Sequence, residues 1–427
     1  MEKAWCLMPK PGTHHKVIPG DKIRSIARKT YGYDRSSDLV NANSSILTGR
    51  PISLEGLPTI YQGDNLWLPD VKEQFSNKIT ATHNDEITIR LGGKLFTGWT
   101  ATSLQRNIDS VADGFTFSLP YDPNNLELRE LTRAYSYKNC DIFIGDELYI
   151  AAQTIKWSVG TRKNQTVKTI EARTKAGHTI ECMAQKNAVE YKNQTLSQIA
   201  TDIMESYGDN LKPLFFAGDS DKFTKVRKEV TETDYSFLVG LAAQKGFMIT
   251  SSDDGRFAFI RAEINGLPVF RFIEGETAIE HISTSNDGTK RFSSMQSVTE
   301  TAGTSGISST LSDPNIPIYR PFVFSADDLE AGNLETALKW RKSKALANSY
   351  SVSITVSGWR NERGQLWREN MKGTVKAPLV DILNESDYII AGVTLRKDET
   401  GGNIATLKMV IPQAYSLEFP TSFPWEG

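Results

Sequence analysis

Short segments in which apolar and polar residues alternate run through most of the chain, and turn residues separate them. GFTFSLP places Phe115, Phe117 and Leu119 on one face of a strand, and DIFIGDELYI is interrupted by a turn at Gly145. Because side chains alternate between the two faces of a strand, this period of two predicts half-buried β-strands. Many short strands separated by such turns favour a β-barrel or a β-sandwich.

Two segments between residues 187 and 276 have helical spacing instead. NQTLSQIATDIMESYG has Thr195 at the N-cap position and Gly208 at its end, and TETDYSFLVGLAAQKG ends at Gly246. Apolar residues recur three or four positions apart in each, which predicts one buried face. FMITSSDDGRFAFIRA follows and predicts a hairpin. We therefore expect a mixed α/β unit here, and a further helix at about 326–348.

The composition excludes several classes of protein. Among 427 residues, 49 Lys and Arg stand against 51 Asp and Glu, for a formal net charge of -2. Without a basic excess, neither nucleic acid nor a membrane surface is expected as a partner. No segment approaches 18 unbroken apolar residues, so no spanning helix is expected, and MEKAWCLMPKPG is too interrupted for a signal peptide. The cysteines Cys6, Cys140 and Cys182 form no CxxC pair, which favours reduced thiols and a cytoplasmic site of synthesis.

The N-terminal segment VIPGDKIRSIARKTYG, Val17 to Gly32, turns on Pro-Gly-Asp and then spaces its apolar residues as one face of a helix. SSDLVNAN predicts a second helix with Leu39 and Ala42 facing inward, and IYQGDNLWLP predicts a closing strand. The motifs V-x-x-G-D-x-I-x-x-I-A, L-x-x-A-N-x-x-I and Q-G-D-x-L-x-L-P resemble the LysM module. The resemblance covers residues 14–70 and implies the order strand, helix, helix, strand.

The LysM resemblance implies a groove on this unit. LysM modules that bind N-acetylglucosamine polymers hold them between the first strand-to-helix loop and the segment after the second helix. Here TGRPISLEGLPT lengthens the connection beside the groove. We expect Arg50, Pro51 and Ile52 to take the space of a sugar ring, which favours docking onto a protein over binding of peptidoglycan. The implied groove for a glycan or a partner is lined by Pro19, Gly20, Asp21, Lys22, Asn43 and Ile46.

A second resemblance covers residues 78–420. No single motif in it is as specific as a metal signature, and the order of many local patterns carries it. The chain resembles the Mu-type baseplate hub proteins of contractile-tailed phages, which share their fold with the base of type VI secretion spikes. The matching stretches include FTGWTATSLQRNIDSVADGFTFSL, TVKTIEARTKAGHTIECMA, YKNQTLSQIATDIMESYG, TDYSFLVGLAAQKGFMITSSDDGRFAFIRA, RFSSMQ, YRPFVF, GWRNERGQLWREN and GGNIATLKMVIPQAY.

The hub resemblance implies an architecture and a set of partners. Each subunit of that family has two barrels like the barrel of a tail-tube protein, so a homotrimer presents six and matches a six-fold tube to a three-fold spike. The implied partners are the spike protein, the tail tube or tube initiator protein, and the baseplate wedge proteins. The implied location is the tail baseplate of a virion or tail-like particle made in bacterial cytoplasm. Edge strands that would be liabilities in a monomer would become interfaces.

A cell-wall hydrolase with a LysM targeting domain is the alternative. Such an enzyme needs a carboxylate pair, a Cys-His nucleophile or a metal site. The sequence has no HExxH and no GxSxG, and adjacent His14 and His15 would face opposite sides of a strand. His178 and Cys182 are close in sequence, but no third group is evident to orient them. We expect no enzyme activity, no cofactor and no metal.

The sequence thus predicts an α+β, mainly β chain with four domains. These are a LysM domain at 14–70, a first tube-like β-barrel at 78–186, a mixed α/β unit at 187–276, and a second tube-like β-barrel with a flanking helix at 277–427. The two barrels are expected to share a fold, because both are runs of alternating strands with Gly turns. The expected function is that of a structural baseplate hub.

Overall fold

Strands dominate the described part of the chain, which confirms the expected mainly β fold class. No helix in this part is both long and apolar enough to cross a membrane. The computed structural model describes residues 13–19, 21–31, 39–40, 42–47, 50–51, 57–68, 85–96, 99–163, 165–184, 190–208, 211–216, 218, 221–298, 308–325, 333–398, 402–420 and 422–426.

A two-stranded sheet and short helices form the N-terminal unit. Strand β1 (Thr13–Lys16) pairs antiparallel with β2 (Asn65–Leu68), and helices α1 (Ile23–Tyr31) and α2 (Ser44–Leu47) lie between them in sequence. The apolar face of α1 is buried, as its spacing predicts.

For the second helix, the prediction of which residues are buried is wrong at one position. Leu39 is buried, but Ala42 is exposed. Asn43 is buried in its place, because a residue four positions after Leu39 lies on the same face of a helix.

The segment after residue 85 forms a seven-stranded antiparallel sheet, in the order β5-β6-β9-β8-β7-β3-β4. Apolar residues alternate in these strands, and their inward members are almost fully buried. The elements are β3 (Ile87–Leu91), β4 (Lys94–Phe96), β5 (Ala101–Asn107), β6 (Gly114–Pro120), α3 (Leu126–Leu131), β7 (Asn139–Ile144), β8 (Glu147–Arg162) and β9 (Gln165–Thr174).

The middle unit packs two helices and short strands around its own apolar core. Thr195 caps the first helix with a reciprocal capping box, and Gly246 takes φ +69° after the second, both as the sequence predicts. The elements are β10 (Glu190–Thr195), α4 (Leu196–Glu205), β11 (Leu214–Phe215), β12 (Lys222–Arg227), α5 (Asp234–Gln244), β13 (Met248–Ser251) and β14 (Phe257–Ile260).

The last part of the chain forms a second large sheet and a small one. The small sheet, β18-β17-β19, packs on the long helix α6. The elements are β15 (Phe270–Ile273), β16 (His281–Asn286), β17 (Ser294–Val298), β18 (Ser308–Ser312), β19 (Pro321–Ser325), α6 (Leu334–Ser349), β20 (Tyr350–Ser357), β21 (Lys372–Ala377), β22 (Ile382–Asp398) and β23 (Gly402–Val410).

The two large sheets have the same strand order. The first runs β5-β6-β9-β8-β7-β3 and the second runs β16-β20-β23-β22-β21-β15. All neighbours are antiparallel in both, except that β15 is parallel to β21 whereas β3 is antiparallel to β7. Strand β15 lies before residue 277, so we propose to assign residues 270–276 to the last unit. The division into domains otherwise remains a prediction.

Candidate functional site at the junction of the two sheets

Strand β22 joins the two large sheets. Its first half pairs with β21 as far as Ile389, and its second half pairs with β5 from Gly392 onward, while β23 lies along its other side. The change of partner coincides with a β-bulge between Ile390 and Gly392. Because a bulge bends a strand and increases its twist, it allows one strand to serve two sheets. Thirteen strands therefore form one continuous hydrogen-bonded sheet.

A buried arginine lies where these strands meet. Arg106, on β5, is 2% exposed. Its Nε donates to Oε2 of Glu369 at 2.8 Å, and its Nη2 donates to Oε1 of the same carboxylate at 2.6 Å. Its Nη1 donates to the carbonyl of Tyr149 at 2.6 Å and to Oδ1 of Asp253 at 2.9 Å. One guanidinium thus connects the first sheet, the middle hairpin and the last part of the chain.

A third carboxylate, Asp113, completes the cluster. Its Oδ2 lies 3.7 Å from Nε of Arg106 and accepts a hydrogen bond from Ser251 Oγ. Its Oδ1 accepts a hydrogen bond from the backbone N–H of Asn107. Burial raises the pKa of Asp113 to about 7, although the charge of Arg106 acts in the opposite direction. The carboxyl therefore changes its charge near neutral pH, which is unusual for an aspartate.

The hairpin between β13 and β14 docks against β8 at the same place. The amide of Ala151 donates to the carbonyl of Asp253 at 2.7 Å, and the amide of Ala176 donates to the carbonyl of Gly255 at 3.1 Å. Gly255 has φ +80°, and a Cβ there would lie 2.4 Å from the carbonyl oxygen of Ala151. Only glycine meets both conditions. Arg368 also donates to Asp253, so the turn is held from both large sheets.

A second ion cluster also connects the sheets. The guanidinium of Arg360, which is 10% exposed, binds Oδ1 of Asp85 at 2.7 Å and Oε1 of Glu147 at 2.6 Å. It also donates to the carbonyl of Gly364 at 2.9 Å. Arg360 belongs to the loop before β21, whereas its carboxylate partners belong to the first sheet. The junction is therefore fixed by charges as well as by backbone pairing.

The first part of the predicted groove is engaged in local contacts. Oδ2 of Asp21 lies 2.8 Å from Nε2 of His15 and accepts from the amide of Ile18 at 3.1 Å. The amide of Lys22 donates to Ser25 Oγ at 2.9 Å. Pro19 is exposed, and Gly20 lies outside the described residues. The loop thus satisfies its own polar groups, as an N-terminal helix turn does.

The second part of the groove is partly buried. Asn43 donates to the carbonyls of Leu39 and Trp67, at 2.7 and 2.8 Å, and its Oδ1 accepts from the amide of Trp67 at 2.6 Å. Its amide group therefore joins the second helical segment to β2. Ile46 packs partly buried against the core. Asn43 has a structural role, and whether these residues bind a ligand remains a prediction.

The described residues of the long connection contact their own unit. Arg50 binds both oxygens of Asp64, at 2.5 and 3.0 Å, and its guanidinium lies 4.9 Å from the ring centre of Tyr61. Thr59 donates to the carbonyl of Pro51 at 2.8 Å. Ile52, for which a place in the groove was predicted, lies outside the described residues.

The candidate catalytic side chains have different surroundings. Nε2 of His178 contacts Oε1 of Gln153 at 2.8 Å, and burial lowers the pKa of His178. Cys182 is exposed. His15 contacts Asp21, whereas the ring of His14 packs against Trp67 at 4.9 Å. Among the described residues, no three His, Cys, Asp or Glu side chains cluster as metal ligands would.

The sequence analysis did not select the junction residues. Arg106 alternates with Thr102 and Leu104 on the buried face of β5, so a charge on an apolar face was the available signal. Glu369 is 263 residues away in sequence. Nothing in a single sequence shows that two such distant charges meet.

Comparison with known families matches two parts of the chain. The second domain of baseplate hub protein gp44-like proteins matches residues 176–261, which include the middle unit. The fourth domain of the Mu phage baseplate assembly protein GpP matches residues 333–418, which include α6 and the strands β20 to β23. The resemblance to Mu-type hub proteins is confirmed, whereas neither match reaches the N-terminal unit.

Individual relatives cover most of the chain. Baseplate hub protein gp44 of Escherichia phage Mu is 26% identical over 337 residues, which are 75% of this chain and 86% of that protein. The 43 kDa tail protein of prophage MuSo2 from Shewanella oneidensis has a TM-score of 0.67 and 23% identity, and the match covers 78% of this chain and 100% of that one. The tail protein of Neisseria meningitidis MC58 has a TM-score of 0.65 and 18% identity over 76% and 96% of the two chains. In sequence and in fold, the chain is similar to the Mu gp44-like baseplate hub proteins.

Proposed function

We propose that the chain is the baseplate hub of a contractile phage tail or tail-like particle. In this role three copies form a ring that adapts the six-fold tail tube to the three-fold central spike. Its partners are then the spike protein, the tail tube or tube initiator protein, and baseplate wedge proteins. The chain's relatives are named as baseplate hub and tail proteins, which supports the location.

The pairing of β22 with β5 is the observation that carries the proposal. It places two sheets of equal strand order side by side within one chain, joined edge to edge. Two similar units that meet through such an edge are what a six-fold ring made of three chains requires. The buried charges of Arg106 and Arg360 fix the angle between the two units, because ion pairs with several hydrogen bonds tolerate little displacement.

For the N-terminal unit we propose docking onto another tail component. Asn43 is committed to the backbone of β2, and Arg50 to Asp64, so two polar groups near the implied groove already have partners. Exposed apolar side chains remain on this unit, namely Ile18 at 45%, Tyr61 at 52% and Trp67 at 36%. Aromatic residues are enriched at protein interfaces, which supports a protein partner.

Native mass spectrometry of the full-length protein tests the hub proposal. We expect trimers, and complexes of those trimers with the spike and tube proteins of the same particle. A protein that stays monomeric at micromolar concentration, alone and with those proteins, contradicts the proposal.

Deletion of residues 14–70 tests the docking of the N-terminal unit. We expect particle assembly to fail in the deleted variant, while the intact protein is not retained by insoluble peptidoglycan. Normal particles from the deleted variant, together with retention of the intact protein on peptidoglycan, would favour glycan binding instead.

We further propose that the chain does not hydrolyse peptidoglycan. The contact of the His178 ring with Gln153 supports this, because the side-chain amide occupies Nε2 of the imidazole. Dye release from labelled peptidoglycan should stay at the level of the blank, and a clear enzyme-dependent signal would contradict this part of the account.

A further inference from the structure

One edge of β8 lacks a strand partner. Strand β7 pairs with β8 only as far as Gln153, and β9 continues along the other side to Arg162. Residues 156–162 therefore present backbone groups that no strand in the described part of the chain pairs with. An exposed strand edge is a template for pairing with another chain, so natural proteins protect it or use it.

The second sheet shows how the equivalent edge is used. In the common strand order, β22 occupies the position of β8. The pairing of β22 with β23 contains one β-bulge, and so does the pairing of β8 with β9. Lys156 and Gly392 are the first paired residues after the two bulges. Beyond Gly392, β22 pairs with β5. The equivalent stretch of β8 begins at Lys156 and has the same side open.

Strand β16 holds the place of β5. Each is the first strand of its sheet and pairs on one side only in its own sheet, β5 with β6 and β16 with β20. When the cross-strand residue pairs are followed through both sheets, Ser283 occupies the position of Ser103. The outer edge of β5 is covered by β22, whereas no strand in the described residues covers that of β16.

We propose that residues 156–162 of β8 pair antiparallel with β16 of a second copy of this chain. This contact rests on the proposed ring and specifies how its chains join. The proposed contact between two chains is equivalent to the β22–β5 contact within one chain. Each copy therefore uses β8 to pair with one neighbour and β16 to pair with the other. Such a head-to-tail contact is heterologous and closes when the rotation between copies divides a full turn.

The β22–β5 contact also sets the register of the proposed pairing. Arg396 lies four positions after Gly392 and pairs with Ser103. Gly160 lies four positions after Lys156 and is therefore the equivalent of Arg396. Since Ser283 is the equivalent of Ser103, Ser283 lies opposite Gly160 in the proposed pairing. The remaining pairs follow from the antiparallel direction. They are Trp157 with Asn286, Ser158 with Ser285, Val159 with Thr284, Thr161 with Ile282, and Arg162 with His281.

The side chains of β8 fit an interface better than a free surface. Val159 is 55% exposed and stands where Leu395 is buried in the second sheet. Trp157 is equivalent in position to Val393, which is buried in the second sheet. The ring centres of Tyr135 and Tyr137 lie 5.9 and 5.6 Å from that of Trp157. Pairing with β16 would bring Ile282 beside Val159 and would cover these apolar atoms.

The two tyrosines are themselves unusual. Tyr135 is 80% exposed and Tyr137 is 48% exposed, and both take positive φ values, 58° and 45°. A bulky residue in this region of backbone space is strained, which is a feature of functional surfaces. In the proposed register the exposed cation Lys156 also lies opposite Asp287, so that charges of opposite sign meet at the end of the contact.

Disulfide cross-linking of the full-length protein tests the register. In a C6S/C182S background, Ser158→Cys and Ser285→Cys are made separately and the two proteins are co-expressed. We expect covalent dimers from the pair under mild oxidation, and none from either variant alone. The matched control pairs Ser158→Cys with Ser308→Cys on β18 and should give no dimer.

A surface substitution gives an independent readout. Val159→Asp places a charge in the proposed contact but leaves a single chain unstrained, because the side chain is exposed there. We expect loss of the trimer with an unchanged circular-dichroism spectrum of the folded chain, whereas Val230→Asp, at a residue 76% exposed elsewhere, should remain trimeric.

The outcomes separate this inference from the proposed function. Trimers that give no 158–285 disulfide and that survive Val159→Asp overturn the strand pairing and leave the trimeric hub standing. Disulfides between two Ser158→Cys chains also overturn it, because they indicate a symmetric contact. A monomeric parent protein overturns both.

Discussion

Arg106 and Glu369 are joined by two hydrogen bonds, of 2.8 and 2.6 Å, across 263 residues of sequence. The pair is bidentate and nearly inaccessible to water, with side chains 3% and 8% exposed. It lies beside the point where β22 passes from one sheet to the next. A planar guanidinium fork held by a carboxylate fixes orientation as well as distance, so this pair defines the junction more closely than packing alone.

Substitution of Arg106 tests the importance of the pair for stability. Arg106→Met should destabilise the chain by about 3–5 kcal/mol, because it leaves buried carboxylates without their cation. Chemical unfolding measures the loss. The control Arg133→Met removes an arginine that is 65% exposed and should change stability by less than about 1 kcal/mol. Equal effects of the two substitutions would contradict the account of the junction.

Asp113 should make stability depend on pH. Its pKa is raised from 3.8 to about 7 by burial, so the folded state holds a proton that the unfolded state releases at lower pH. The contribution of Asp113 to the unfolding free energy is therefore fully present below about pH 4 and is lost as the pH rises through 7.

The variant Asp113→Asn isolates this effect. The difference in unfolding free energy between parent and variant should fall steadily from pH 4 to pH 7 and then level off. The matched control is Asp146→Asn, at an exposed aspartate in the turn between β7 and β8. A flat difference for Asp113→Asn would show that this carboxyl does not titrate as described.

Gly373 on β21 pairs with Phe270 on β15, and the aromatic ring covers the glycine. A Cβ at residue 373 would lie 2.1 Å from a ring carbon of Phe270. Gly373→Ala should therefore cost about 1–3 kcal/mol through overpacking. Gly114→Ala on β6, where no atom lies within 4 Å of the added carbon, should cost nothing measurable. Two equally stable variants would contradict the packing described for Phe270.

Asn43 should be essential for the N-terminal unit. Asn43→Ala removes the side-chain partner of both the amide and the carbonyl of Trp67, which costs about 1–3 kcal/mol locally. Hydrogen exchange of residues 13–68 should accelerate in this variant, while residues 99–163 remain protected. The exposed control Asn124→Ala should leave both regions unchanged. Unaltered exchange in Asn43→Ala would refute its structural role.

The elements could be predicted from the sequence where local chemistry decides them. Alternation predicts the strands that contain Phe115 and Phe117, and the cap at Thr195 and the turn at Gly246 are where the pattern places them. The failure at Ala42 has a local cause as well, since hydrophobicity alone does not reveal that a buried Asn can bind the neighbouring backbone.

The junction could not be predicted in the same way. The sequence marks β5 and β22 as strands but contains no signal for which strand edge meets which, because pairing depends on the fold of the whole chain. In the sequence, Arg106 interrupts the apolar face of β5 without an evident reason. In the folded chain its charge is balanced by Glu369 and Asp253. Alternation and the family resemblance both lead to the expectation of two similar units, but neither predicts which strand edges join them.

Electron microscopy of the purified full-length protein tests the central claim most directly. The chain has a mass of 47.6 kDa, and three copies are large enough for class averages viewed along the ring axis. The account predicts a closed ring of six similar lobes, two from each chain. Because the two lobes of one chain are similar but not identical, the ring should have three-fold symmetry at a resolution that distinguishes them. Single-chain particles, or an assembly with two-fold symmetry in which the two sheets of a chain are not neighbours in a ring, would contradict it.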